Sequence, residues 1–394
     1  MEKFISSFSR KDFFRYYLYG YLNEKMVGRW KTGDREKRKE FKKKAIVSYL
    51  NLGRLPSFVQ NALIATISVT ELPLSWVMET YLFVRYMFAL LFHTKNTTKG
   101  NIYFIGTKEQ RFKKELQNAR ISEQEVVVVK FYGWNYGQIF DGIKQISILD
   151  GLHFSDVWRA YRYSLCMSFF MGKRYSKEDM FFRSYSSFEF FMACFFLSQL
   201  DKSKKVIFVE TYSRWAHLCG RLSHYVVFVQ HGIIGKELNF LIKIGSPNEA
   251  YFLNEKEAGY CCEYLFYKMP VIKYLDGLKF TSNEKLLKND NVNILLVCHY
   301  IYFEKEKRIA NEIIGLGGYN VYLKPHPLDP REQYVEFCKN NGAIILEKQD
   351  YPKVDLVIAY NSTLAVEYQD AGVDVIRHDE IDCKEIINKV KQYR

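Results

Sequence analysis

Three polar clusters in this 394-residue chain each follow a short apolar run, and their residue types suit chemistry on a phosphorylated substrate. The first is Gln230-His231-Gly232-Ile233-Ile234-Gly235-Lys236. Its imidazole can act as a general base near neutral pH, while Gly232 and Gly235 would allow a ligand close to the backbone. A capping or core histidine has the same local pattern. The second cluster is Lys324-Pro325-His326-Pro327, in which two prolines stiffen the turn around His326. A hydrogen-bonding or cationic group fixed in this way suits a phosphate oxygen. The third, Asn361-Ser362-Thr363-Leu364-Ala365-Val366-Glu367, puts hydroxyls at a helix start, where backbone N–H groups make an anion site. The same Ser and Thr also serve as ordinary N-caps. Glu367, one turn in, would reach a ribose hydroxyl or complement the helix dipole.

Glu210 and His299 also follow apolar runs, Glu210 as an alternative base and His299 as a further candidate at the donor site. His217 and His224 read as structural. No D-x-D, GxGxxG, P-loop or HExxH motif occurs, so no metal is expected at a diphosphate. The leaving phosphate then needs protein donors, which the second and third clusters supply.

Short β-rich runs alternating with helical patterns must position these clusters. Strands are predicted at Ile102–Ile105, Val126–Lys130, Val206–Val209 and Tyr225–Val229, then at Asn293–Val297, Val321–Leu323, Ala343–Leu346, Asp355–Ile358 and Val373–Ile376. Helical segments fall between them, which predicts parallel sheets with helical crossovers. In such sheets ligands bind outside the carboxyl ends of the strands, and all three clusters fall at such ends. Residues 1–99 lack this alternation and read as a helical, basic and aromatic extension. Residues 100–275 and 276–394 read as two doubly wound α/β domains facing a cleft, with the polar run Thr281–Asp290 near the boundary.

Composition agrees with a globular protein: 48% hydrophobic and 26% charged. The 57 Lys and Arg exceed the 44 Asp and Glu by 13, which favours an anionic partner. Part of that charge is the run from Arg35 to Lys44, preceded by Phe13, Phe14, Tyr16, Tyr17, Tyr19 and Tyr21. It reads either as a solvated helix face or as an anchor on an anionic membrane surface. No nucleic-acid motif accompanies it, so nucleic acid is not expected as a partner. The eight Cys have no zinc-site spacing and read as reduced thiols. The N-terminus has no signal-peptide pattern, and Val77–Phe92 is too short and charged for a free-standing membrane span.

The order His-Gly, then Lys-Pro-His-Pro, then a Ser/Thr-rich helix start with a following Glu resembles bacterial surface-polysaccharide transferases of the GT-B fold. Polysialyltransferases, Kdo transferases and CDP-glycerol glycerophosphotransferases are the groups it looks most like, over about Val206 to Ile376. The resemblance implies two Rossmann-like domains and a cytidine-activated donor whose phosphate is held by His326, Pro327, Ser362 and Thr363. It implies a glycan or lipid-linked glycan acceptor, and a cytoplasmic enzyme peripheral to the inner face of the membrane. Sialyltransferases of this kind carry an acidic pair before glycine, where this chain has Gln230-His231-Gly232. That pattern is instead similar to the glycerophosphotransferases and makes His231 the expected base. Polyol-phosphate transfer and, further off, nucleotide-sugar 2-epimerisation are the alternatives.

Overall fold

The computed structural model describes residues 10–32, 56–69, 71–95, 100–105, 112–131, 140–174, 187–209, 211, 213–234, 242–281, 286, 289–299, 302–326, 329, 331–360 and 362–393. Two compact units divide the chain, Met1–Leu275 and Asp276–Arg394.

The first unit is built on seven parallel strands: β1 (Ile102–Phe104), β2 (Val126–Lys130), β3 (Lys144–Ser147), β4 (Lys205–Phe208), β5 (Tyr225–Val229), β6 (Glu249–Phe252) and β7 (Val271–Tyr274). Their order is β3-β2-β1-β4-β5-β6-β7, which reverses direction between β1 and β4. Alternate side chains feed two cores, as the two-residue period of a strand requires. Ile102, Val126, Val128, Ile207 and Val229 face one layer, which includes α4 (Phe112–Asn118). Tyr103, Val127, Val206, Phe208 and Phe228 face the other, larger layer.

That larger layer holds α1 (Arg10–Thr32), α3 (Glu71–Leu91), α5 (Phe154–Arg174), α6 (Ser187–Gln199) and α7 (Arg214–Cys219), with α2 (Ser57–Val69) preceding α3. Phe13, Tyr16, Tyr17 and Tyr21 are buried here, Phe13 edge-on to Phe195 at 5.4 Å and Tyr17 edge-on to Phe190 at 5.3 Å. The sequence suggested these rings as membrane-interface residues. Their burial corrects that reading, since a ring packed inside a core cannot insert into lipid. Gly20 allows the close approach, because a Cβ there would lie 2.2 Å from the Arg214 Cα of α7. Asn23 adds a hydrogen bond from Nδ2 to His217 Nε2 at 2.9 Å. Burial lowers the His217 pKa to about 3, so the ring is neutral at physiological pH. Each buried ring contributes roughly 1.5–3 kcal/mol against about 1 kcal/mol for one hydrogen bond. Aromatic burial therefore dominates the docking of α1. His217 and His224 are structural, as read; His224 Nε2 donates to the Leu200 carbonyl at 3.0 Å. The basic run through Lys37–Lys44 lies outside the described residues.

The second unit has five parallel strands: β8 (Val292–Cys298), β9 (Tyr319–Pro325), β10 (Ile344–Ile345), β11 (Leu356–Ala359) and β12 (Asp374–Arg377). Their order is β10-β9-β8-β11-β12, so the direction of winding reverses between β8 and β11. Ile294, Leu296, Val321 and Ile358 pack on one face with α9 (Phe303–Leu316), α10 (Arg331–Asn341) and α12 (Cys383–Val390). Leu295, Val297, Tyr322 and Val357 pack on the other with α11 (Thr363–Asp370). Each unit is a doubly wound parallel sheet, the Rossmann-like class expected from the alternation. Three strands of the first sheet, β3, β6 and β7, and α8 (Glu255–Tyr264) have no counterpart in the sequence reading.

Candidate active site

His231 follows β5 at its carboxyl end, on a loop pinned from below. Gln230 is 1% exposed and spends its whole amide there. Its Nε2 donates to the Gly232 carbonyl at 2.8 Å and to Glu257 Oε2 at 2.7 Å, and its Oε1 accepts from Leu253 N at 3.1 Å. Glu257, on α8, also accepts from Ile234 N at 2.9 Å. The helix that carries it is capped by Asn254, whose Oδ1 accepts from Glu257 N at 3.0 Å. A strand end, a helix start and the loop are thereby tied through one buried amide–carboxylate pair.

The pinned loop presents His231 to Glu115 of α4, with the imidazole Nδ1–H donating to Glu115 Oε1. The Glu115 side chain is 6% exposed and the His231 side chain 40% exposed. A buried carboxylate on Nδ1 fixes the ring and its tautomer, leaving Nε2 as the proton-accepting nitrogen. Sequence reading missed Glu115. It lies in a segment that reads as helical, Lys108–Asn118, but its partner is 116 residues downstream. Glu210 and Gly235 lie outside the described residues.

In the second unit the candidates gather at the carboxyl edge, beside the reversal between β8 and β11. His299 follows β8 and His326 follows β9, with ring centroids 5.2 Å apart. Tyr360, at the end of β11, stands 5.3 Å from His299, and Tyr302 stands 5.8 Å from Tyr360. Beneath them Glu306 Oε1 accepts from His299 N at 3.0 Å and lies 3.3 Å from His378 Nε2. Burial pushes the Glu306 carboxyl up, with His378 and the His299 backbone acting against it. Ser362 caps α11, its Oγ accepting from Ala365 N at 3.2 Å. Thr363 is the first residue of the helix that Ser362 caps. Glu367 is 8% exposed within α11. Pro327 and Asn361 lie outside the described residues.

Lys324 requires a correction. It is 6% exposed, and its ammonium donates to three backbone carbonyls: Glu347 at 2.8 Å, Lys348 at 3.1 Å and Asp350 at 2.7 Å. The ammonium also sits 4.3 Å over the Tyr351 ring. Three N–H donors committed to three carbonyls make Lys324 a clamp on the loop after β10 rather than a phosphate ligand. Tyr302, Tyr360, Glu306, Asp329 and His378 stand around the candidate histidines and were passed over in the sequence reading. Only Asp329, three residues after His326, carried a local signal.

No family model matches this chain, and no curated protein does. Among solved structures the chain is similar to HepE from Anabaena in complex with UDP and glucose, at 11% identity over 71% of this chain and 80% of that one, TM-score 0.39. It is similar to MurG from Acinetobacter baumannii, at 11% identity over 75% and 90% of the two chains, TM-score 0.37. The wall teichoic acid polymerase TagF, soaked with CDPG, matches at 10% identity over 76% and 78%, TM-score 0.36. The architecture rests on the two sheets themselves.

The Glu115–His231 hydrogen bond makes a direct expectation. Imidazole ¹⁵N shifts of the intact protein, assigned with His231→Ala, should place the His231 proton on Nδ1. Glu115→Ala should release the ring to a mixture of tautomers, whereas Glu115→Gln, which keeps the side-chain volume, should retain the fold by circular dichroism. An Nε2–H ring in the unsubstituted protein would contradict the arrangement.

Proposed function

We propose that this chain is a GT-B-type glycosyltransferase of capsule, lipopolysaccharide or other surface-glycan synthesis, using a nucleotide-activated donor of the CMP-linked class. The observation that carries the reading is the placing of an oriented imidazole at a strand carboxyl end. His231 is held by a buried carboxylate, the arrangement a general base needs. In the proposed reaction an acceptor hydroxyl gives its proton to His231 Nε2 as its oxygen attacks the anomeric carbon. The bond from that carbon to the donor phosphate oxygen breaks, and the electron pair leaves with the nucleotide. Within the second unit, His326 with His299 beside it, and Ser362, Thr363 and the N–H groups at the start of α11, are the groups suited to a departing phosphate. Polyol-phosphate transfer is the alternative: the same base would serve a hydroxyl attacking phosphorus, and product analysis separates the two.

A thermal-shift panel of CMP, CDP and UDP tests the donor assignment. Cytidine nucleotides should stabilise the protein, by roughly 2.7 kcal/mol at a hundredfold excess over Kd. His326→Ala should weaken that shift. His231→Ala should leave it intact and lower turnover by about 10²–10⁴-fold. A shift from UDP alone would overturn the cytidine assignment.

Peripheral attachment to an anionic membrane, with a lipid-linked glycan as acceptor, belongs to the same reading, and α3 supports it. This helix is apolar on both sides, with Leu82 and Tyr86 in the core and Phe83 and Leu90 packed against it. Its buried side carries Glu79, bonded by Ser187 Oγ at 2.5 Å, and Tyr86, which donates to Glu189 at 3.1 Å. Burial raises the Glu79 pKa well above the usual carboxylate range, which favours its neutral form. The solvent side carries Val77, Tyr81, Val84, Phe88, Leu91 and Phe92, all exposed. Trp158 and Phe154 of α5 are exposed as well, and Trp158 packs on Phe83 of α3 at 5.4 Å. Among the described residues no helix is long and apolar enough to cross a membrane. An apolar stripe on a basic chain suits shallow insertion beneath anionic headgroups. The protein should pellet with phosphatidylserine vesicles at low salt and be partly released as salt screens the cations. Replacing Lys37, Arg38, Lys39, Lys42, Lys43 and Lys44 by Gln should reduce the salt-sensitive part, and Phe88→Ser with Leu91→Ser the remainder. Unchanged pelleting of both variants would sink the reading.

A further inference from the structure

The carboxyl ends of β8 and β9 assemble a donor set that the transferase reading uses only in part. Cys298 and Pro325 are paired in parallel register, so the next residues, His299 and His326, emerge side by side. The hydrogen bond from His326 N to the Cys298 carbonyl, 3.0 Å, fixes that level. Asp329 N donates to the His326 carbonyl at 2.9 Å. One ring nitrogen of His299, one of His326 and a carboxylate oxygen of Asp329 all lie within 4.8 Å of one another. Behind them Tyr334, 1% exposed, donates its hydroxyl to Asp329 Oδ2 at 3.1 Å.

We propose that His299, His326 and Asp329 bind one divalent transition-metal ion of the zinc, cobalt or iron class. Two imidazoles and one carboxylate are the ligand set such ions take, with positions left open for water or substrate. The Asp329 carboxylate adds to the two imidazole lone pairs the negative charge that a dication calls for. Metal–ligand bonds of about 2.0–2.2 Å put neighbouring donor atoms roughly 3.3 Å apart. Donor atoms within 4.8 Å of one another need close by no more than about 1.5 Å to reach that spacing, a small rotamer adjustment at partly exposed positions. The Tyr334 hydroxyl supplies the outer hydrogen bond that orients a ligating carboxylate. A cavity of about 30 Å³ lies beside His326 and Asp329, lined also by Arg331 and Glu347.

The inference goes beyond the transferase reading and joins it at one point. Two neutral imidazoles, one carboxylate and a dication sum to a charge of +1, which draws a phosphate to His326. The missing D-x-D, from which the sequence suggested a metal-free reaction, concerns a carboxylate bridge to a diphosphate and does not bear on imidazole ligands.

Full-length protein stripped with a chelator and titrated with Co²⁺, followed by visible absorption, tests the site, with Zn²⁺ calorimetry alongside. One equivalent should bind with a d–d spectrum free of thiolate charge transfer. His299→Ala, His326→Ala and the near-isosteric Asp329→Asn should each weaken binding tenfold or more, and Tyr334→Phe by about tenfold. Cys166→Ser, at an exposed thiol, should change nothing. Circular dichroism confirms that each variant is folded. Absence of saturable binding, or binding indifferent to Asp329→Asn and His326→Ala, would overturn the proposal. Nucleotide shifts recorded with and without the ion keep the readings apart. Cytidine binding to metal-free protein with no metal uptake removes the metal site alone, and metal uptake with no nucleotide shift removes the donor assignment alone.

Discussion

Every strand in both sheets runs parallel to its neighbours, and this constraint governs where polar side chains can gather. Parallel pairing requires a crossover after each strand, so all carboxyl ends of a sheet lie along one edge. Both faces are then covered by helices, and the strand interiors become apolar. Chemistry is left to the residues just past the strand ends. His231, His299, His326 and Ser362 all occupy such positions.

Position alone does not make a site, and the structure spends buried polar groups on holding these residues still. The Gln230–Glu257 pair fastens the His231 loop, and Glu115 orients the ring. Glu306 holds the His299 backbone, and Tyr334 the Asp329 carboxylate. Lys324 clamps the loop after β10. A buried polar group left without its partner costs about 1–3 kcal/mol, so these supports resist rearrangement. The helices on the other face of the first sheet have a different task. Their aromatic rings form a core for α1, while α3 turns an apolar side outward.

Much of this is legible in the sequence. Val126–Val129 and Val226–Val229 read as strands because a strand buried on both faces is a plain apolar run. His-Gly, Pro-His-Pro and Ser-Thr after such runs announce strand ends. The polar edge strand β3 and the exposed edge strand β7 carry no such run, which explains why they escape a reading by periodicity. Lys324 looks like a phosphate ligand until its three carbonyl partners, 23 to 26 residues away, are in place. Glu115 is invisible for the same reason: only the sheet topology brings α4 to the end of β5. The aromatic crowd at Phe13–Tyr21 shows the opposite error, since composition suggests a surface and packing makes a core.

The central claim is that a nucleotide occupies the carboxyl edge of the second sheet. Hydrogen–deuterium exchange of the full-length protein with saturating CMP, CDP or UDP tests it most directly. Amides following β8, β9 and β11, around His299, His326 and Ser362, should gain protection together, while the opposite, amino-terminal edge of that sheet stays unchanged. Protection confined to the first unit, or no change at any nucleotide concentration, would contradict the account.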